Sequence, residues 1–276
     1  MINYFDFKED VSHIYAAETT LTFDQHDQYI TSFNIPVDRY HDSIQVKSQK
    51  ESIEPILTEE TLPNEPGEWD LRFNIDYTKQ NNRIYTALPQ VQLFFGIFRN
   101  VGGEISLPLY YSKGEKVEYG FGSVSTSIKW LVVNQSFTFP AFVVGLDIGL
   151  PTNSIVEESE ERTFEYSPYV AFLKDFGQLC VQGNLALSTE FPVSGGEKNH
   201  STEFNIAFAY PTFDDKINVL AELNSSFSRK EPNELFLSPG IKYHLNDKHF
   251  FALAFPVGLY NMSSNFRIFI QYQFQL

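Results

Sequence analysis

Cysteine is nearly absent from this chain: Cys180 stands alone among 276 residues, so no intramolecular disulfide can form and the redox compartment cannot be read from it. Long apolar runs are missing as well. The longest, Phe250 to Tyr260, covers 11 residues, short of the roughly 18 that a spanning helix needs but well suited to a strand. Basic side chains are scarce. Lys and Arg number 20 against 35 Asp and Glu, and the net charge of -15 excludes the basic patch of a nucleic-acid surface. The opening MINYFDFKED lacks the basic and apolar regions of a secretory signal, so the sequence is expected to be a mature or truncated form.

What the chain has in excess is aromatic residues, 27 Phe and 15 Tyr, in a sequence whose mean hydropathy is only -0.24. That combination suits a transmembrane barrel, in which lipid-facing apolar residues are diluted by lumen-facing polar ones. The stretch FRIFIQYQFQL makes the pattern explicit. Ile268, Ile270, Tyr272, Phe274 and Leu276 share one face, while Arg267, Gln271, Gln273 and Gln275 share the other, which is the period of a β-strand. Chain ends are usually loose unless an element ties them down, so this is read as a closing strand.

Working back from that end, the spacing predicts an all-β fold, an antiparallel transmembrane β-barrel of 12 strands with an acidic N-terminal extension. The strands fall at 69–79, 83–97, 103–112, 117–132, 137–149, 163–174, 178–190, 202–212, 217–228, 234–245, 249–259 and 266–276. Connections of one set are short (FRNVG, VNQS, KDFG, FDDK, NDKH), and most of the other set are longer and polar (SKGEK, PTNSIVEESEER, FPVSGGEKNH, RKEPN, NMSSN). Short turns at one end and longer loops at the other are the mark of an outer-membrane barrel, with the short turns periplasmic. Trp69 and Trp130 then fall near the short-turn rim, and Tyr77, Tyr111, Tyr119 and Tyr166 near the opposite one, as interfacial belts require. Strand four resists this register. Tyr119 and Phe121 share a parity that Ile128, Trp130 and Val132 do not, and a bulge near Gly120 to Ser123 would restore the phase. Pro89, Pro108, Pro140, Pro168, Pro239 and Pro256 lie within expected strands, where they mark kinks or else breaks.

Residues 1–67 differ from residues 68–276. They carry 13 acidic and 4 basic side chains and end in the turn-rich TLPNEPG. They read as a largely flexible extension. Short strand-like pieces at Thr19 to Phe23 and Tyr29 to Ile35 leave open an ordered plug or an added strand.

The barrel segment also resembles a known family, the transporters of the phenol meta-degradation pathway group of outer-membrane barrels. The likeness rests on YGFGSVSTSIKWLV (Tyr119 to Val132), LDIGLPT (Leu146 to Thr152), and LAELNSSF followed by LSPGIKYHL (Leu220 to Leu245). Asn153 stands where that group has glycine, and Ser123 where it has an acidic residue. The resemblance implies a porin-like barrel in the outer membrane of a Gram-negative bacterium.

With the faces assigned, Arg72, Lys129, Asp147, Glu165, Glu222, Lys242 and Arg267 become the lumen-lining candidates. Acids outnumber bases among all inward polar residues, so an open lumen would favour cations. The other reading pairs Arg72, Lys129, Lys242 and Arg267 with Asp147, Glu222 and Glu165 in a network that fills a narrow barrel. Inward Ala252, Ala254 and Gly258 either open a path or relieve crowding.

No enzyme is expected. His13, His26 and His41 lie in the extension, His200 in a loop, and His244 and His249 lack a nucleophile motif around them. Glu157, Glu158, Glu160 and Glu161 read as a solvated acidic loop rather than metal ligands. Asp175-Phe176-Gly177 and Gly120-Phe121-Gly122 read as turn or strand glycines. No cofactor is implied. The expected partners are outer-membrane lipid, a small-molecule solute and the barrel-assembly machinery, whose terminal recognition signal the aromatic chain end resembles. The expected function is a porin-like passive conduit for small molecules, hydrophobic or aromatic ones among them. The alternative is a closed structural or partner-binding barrel without transport, and a soluble β-barrel carrier is a third reading.

Overall fold

The period-two alternation of apolar and polar side chains becomes a wall with two unlike faces. The computed structural model describes residues 18–23, 29–34, 55–58, 61–80, 83–113, 117–153, 162–212, 216–230, 233–260 and 266–276. The chain divides into two compact units, Met1–Gln49 and Lys50–Leu276. In the first, β1 (Glu18–Phe23) and β2 (Tyr29–Asn34) form an antiparallel pair.

The second unit holds β3 (Trp69–Gln80), β4 (Arg83–Phe98), β5 (Val101–Lys113), β6 (Val117–Phe121), β7 (Ser125–Val133), β8 (Ala141–Gly149), β9 (Thr163–Phe176) and β10 (Leu179–Pro192). It continues with β11 (Asn199–Thr212), β12 (Ile217–Ser228), β13 (Glu234–Asn246), β14 (His249–Ala254), β15 (Val257–Tyr260) and β16 (Phe266–Gln275). All pairings among these strands are antiparallel. β6 and β7 both pair with β5, and β14 and β15 both pair with β13, so each couple is one interrupted wall strand. The result is a closed barrel of 12 strands.

The seam lies between β16 and β3, paired from Phe266↔Lys79 to Gln275↔Asp70. Leu276 N also donates to Trp69 O at 2.8 Å. Pairing along this seam removes the edges that both strands would otherwise expose. Outside the seam, the rings of Phe73, Tyr272 and Phe251 form a row, with centroids 6.3 and 4.9 Å apart. Beside them Ile75, Ile270 and Leu253 lie in register. Around the wall the outward positions continue as Ile128, Val144, Val170, Leu187, Phe208, Val219 and Ile241, all exposed. An apolar belt of this extent on every outward face fits hydrocarbon and not water.

Both interruptions have local causes. The chain bends through Gly122 to Val124, where Gly122 N donates to Pro108 O and Leu150 N donates to Val124 O, both at 2.8 Å. This is where the sequence phase slipped. Tyr119 and Phe121 before it, and Ile128, Trp130 and Val132 after it, all face outward. The second break falls at Phe255 and Pro256, where proline lacks an N–H for the ladder. The sequence expectation of one strand over 249–259 is corrected there. A further correction concerns the strand expected from residue 137, which begins only at Ala141. Ser136 N donates to Phe139 O at 2.9 Å, and Lys174 Nζ donates to the carbonyls of Ser136 and Phe137 at 2.6 and 2.8 Å. The resulting turn, ended by Pro140, leaves Phe137 and Phe139 exposed. Gly177, in the KDFG turn, has φ of 69° and serves the turn alone.

The belt assigns different tolerances to neighbouring positions of one strand. Ile270→Arg places a charge in the middle of the outward face and is expected to destabilise the folded barrel by about 2–4 kcal/mol. Denaturant titration in lipid vesicles measures it, and an unchanged midpoint would contradict the outward assignment.

Candidate functional site

The chain leading into β3 packs against the inward face of the wall. Pro55, Ile56, Thr58, Thr61, Pro63 and Asn64 are buried inside the wall. The sequence reading drew the domain boundary at residue 67; in the structure residues 55–58 and 61–68 belong to the barrel unit. The segment enters beside the short turn between β4 and β5. There Pro66 forms a parallel bridge with Gly96, and Gly96 N donates to Glu68 O at 3.1 Å.

The wall is shaped to receive this segment. A Cβ on Gly96 would lie 1.9 Å from the backbone oxygen of Glu65, one on Gly102 2.9 Å from Pro63 Cβ, and one on Gly240 2.9 Å from Ile56 Cδ1. Inward Leu173, Cys180, Ala209, Leu220, Ala252, Ala254 and Phe269 form an apolar cluster with Ile56, against which Leu57 and Leu62 pack. Of the two readings left open for Ala252 and Ala254, the structure has them making room for the segment.

Polar contacts fix its position along the lumen. Glu222, on the inward face of β12 and fully buried, accepts hydrogen bonds from three successive backbone N–H groups. Ile56 N donates to Oε1 at 2.7 Å, Leu57 N reaches both oxygens at 3.2 and 3.0 Å, and Thr58 N donates to Oε2 at 2.6 Å. Converging N–H groups make a ready anion seat, and here the wall itself supplies the anion. Above and below, Asn224 Nδ2 donates to Thr58 Oγ1 at 3.3 Å, Thr61 Oγ1 to Gln182 Oε1 at 3.0 Å, and Asn64 Nδ2 to Asp70 Oδ2 at 2.7 Å.

The other candidates line the same interior. Arg72, Lys129 and Lys242 are buried, each against an aromatic ring. The Arg72 guanidinium lies 4.1 Å from the centroid of Phe94, Lys129 Nζ 5.5 Å from the same ring, and Lys242 Nζ 5.1 Å from Phe250. Such stacking stabilises a desolvated cation. Lys242 also donates to Gln273 Oε1 at 3.4 Å. Arg267 is half-buried and pairs with Asp76 through Nε at 3.0 and 3.2 Å and Nη2 at 2.5 Å. The expected network is therefore corrected at two members: Arg267 takes Asp76, and Glu222 takes the backbone of residues 56–58. Asp147 is half-buried opposite Ser127 and Ser167, and Glu165 is half-buried with Glu190 and Gly149 as its cross-strand neighbours. Among the described residues the fully enclosed charges balance, Asp70, Glu104 and Glu222 against Arg72, Lys129 and Lys242. The acid excess expected from the sequence does not extend to this enclosed layer.

Between segment and wall lies a cavity of about 140 Å³, bounded by Pro55 to Thr58 on one side. Its other walls are Arg72, Asn74, Gln90, Gln92, Phe94, Phe269 and Gln271. Elsewhere, His244 bonds Asn218 and His249 bonds the Tyr272 hydroxyl. The acidic loop with Glu157, Glu158, Glu160 and Glu161 lies outside the described residues, as do His13, His26 and His41.

The segment's contacts make its stability measurable. Glu222→Leu is expected to weaken its seating by about 1–3 kcal/mol for each donor left without a partner, whereas Glu222→Gln, which keeps an acceptor, loses less. Hydrogen exchange at Ile56, Leu57 and Thr58 is the readout; exchange unchanged in the Leu variant would show that Glu222 does not hold them. Gly96→Val is expected to lift residues 63–66 from the wall, seen as faster cleavage there by protease, and equal cleavage of both proteins would contradict the contact.

Comparison of the chain with protein-family models gives no match, and comparison with curated proteins gives none either. Solved structures do match. The crystal structure of the COG4313 outer membrane channel from Pseudomonas putida F1 superposes with a TM-score of 0.65 at 10% identity, over 80% of this chain and 100% of that one. The KdgM porin in complex with disordered oligogalacturonate matches with a TM-score of 0.48 at 13% identity, over 75% of this chain and 98% of that one. The first of these likenesses shows the fold, a porin-like barrel of the kind an outer-membrane channel is built on.

Proposed function

We propose that the protein is a porin-like conduit of a Gram-negative outer membrane, through which small solutes diffuse along a lumen narrowed by residues 55–58 and 61–68. The observation that carries this reading is the pairing of an apolar exterior with an interior of buried amides and charges. Polar side chains on the inward face are what a water-filled path requires. The short-turn end, where Trp69 and Trp130 stand exposed, faces the periplasm in this reading. Membership of the phenol meta-degradation transporter group belongs to the proposal too, resting on the motifs around Lys129, Asp147, Glu222 and Lys242.

The mechanism is selection by width and by hydrogen bonding beside the seated segment. Glu222 contributes by anchoring that segment, and Arg72, Lys129 and Lys242 by lining the path with cations already engaged by phenyl rings. The solutes expected from the sequence were hydrophobic or aromatic ones; the amides at the cavity favour solutes that also offer hydrogen-bonding groups.

A second reading is favoured by one observation, the depth at which Glu222 holds the segment: a closed barrel whose plug never leaves. Planar-bilayer recording separates the two. A conduit gives discrete conductance steps that rise severalfold when residues 1–67 are deleted and by an intermediate amount in Glu222→Leu. Absence of steps from the full chain across several lipids would sink the conduit and leave the closed barrel.

A further inference from the structure

We infer that the cavity between residues 55–58 and the wall is a binding subsite for a small neutral polyol, taken up through Asn74 and Gln271. The inference names a solute class for the proposed conduit and rests on that reading for where the solute travels, but not for whether it binds. Asn74 on β3 and Gln271 on β16 are direct cross-strand partners across the seam, and both are 3% exposed. The Asn74 nitrogen is committed to Gln92 Oε1, and the Gln92 nitrogen in turn donates to Glu104 Oε1 at 2.7 Å. This relay leaves Asn74 Oδ1 a buried acceptor with no donor among the described residues. The Gln271 amide lies beside it, on the paired strand, and lines the same cavity. A buried acceptor so placed costs about 1–3 kcal/mol unless something completes it.

The chemistry of the lining selects what that is. An acceptor at Asn74 Oδ1 requires a donor, which a carboxylate anion lacks and a hydroxyl has. The Gln271 amide offers a donor and an acceptor together, a pattern that neighbouring hydroxyls of one molecule meet in full. A cation is disfavoured by Arg72, the one charged residue among the described residues of the lining, and an unsubstituted hydrocarbon would leave Asn74 Oδ1 unmet. Phe94 and Phe269 supply apolar faces for the C–H groups of a polyol. The volume, about 140 Å³, matches that of a cavity of about 150 Å³ known to hold a six-membered ring. It exceeds what one water fills.

Titration calorimetry on the full chain folded in detergent tests this with glycerol and ribitol as probes and acetate as the anionic comparison. Saturable binding of a polyol is expected, weaker for acetate, and reduced about tenfold or more in Gln271→Met, the effect of losing one or two hydrogen bonds. Heat-dependent gel migration verifies that the variant is folded. Polyol heats that never saturate would mean a cavity holding water only and would overturn the subsite. Equal affinity in Gln271→Met, or acetate bound more tightly than glycerol, would overturn it as well. Binding without bilayer conductance supports the subsite while the conduit fails, and conductance without binding overturns the subsite alone.

Discussion

A single buried carboxylate organises the interior. Glu222 sits at the middle of β12 with no solvent contact, and a carboxyl group there is tenable only because three consecutive N–H groups of residues 56–58 converge on it. The dependence runs both ways. Those N–H groups belong to a stretch without regular secondary structure, and the carboxylate stands in for the partners that a helix or sheet would have provided. Without Glu222 the segment loses its depth marker in the lumen, and without the segment Glu222 is an unsatisfied charge inside the barrel.

The wall accommodates this interaction by subtraction. Gly96, Gly102 and Gly240 face the segment where any side chain would meet its atoms, and Ala209, Ala252 and Ala254 complete the space around Ile56. On the other side the segment stops short of the wall, leaving the amide-lined cavity at the β3–β16 seam. Closure of the barrel, seating of the segment and shape of the cavity thus meet at β3 and β16, the strands that follow the segment and end the sheet.

The barrel was legible in the sequence because its rule is local. Period-two alternation in FRIFIQYQFQL and in Trp69 to Thr78 fixes which face each residue takes, and the phase slip near Gly122 showed where the wall strand breaks. Where two phenylalanines alternated with polar residues at 137–139 the same rule misled, because Lys174 and Pro140 turn that stretch into a loop. The inward positions of Arg72, Lys129, Glu222 and Lys242 were legible too, but not their partners. Pairing across a lumen depends on residues far apart in sequence, 166 in the case of Ile56 and Glu222. The acidic charge of residues 1–67 hid Pro55, Ile56, Leu57 and Leu62, an apolar and proline-bearing patch whose match is the row of inward glycines and alanines. That match was the available signal.

An outer-membrane conduit built this way would set its width by the chain that enters it rather than by the size of its ring. The most direct test is a cysteine pair, Pro63→Cys with Gly102→Cys. A Cβ on Gly102 lies 2.9 Å from Pro63 Cβ, within a small adjustment of the roughly 3.5–4.5 Å that a disulfide spans. Buried Cys180 is the internal reference. If the segment occupies the lumen as described, mild oxidation of the folded, membrane-embedded protein links residues 63 and 102 in nearly every molecule, as mass spectrometry of the digest would record. Two free thiols at 63 and 102 that alkylate readily, with no cross-linked peptide, would contradict it.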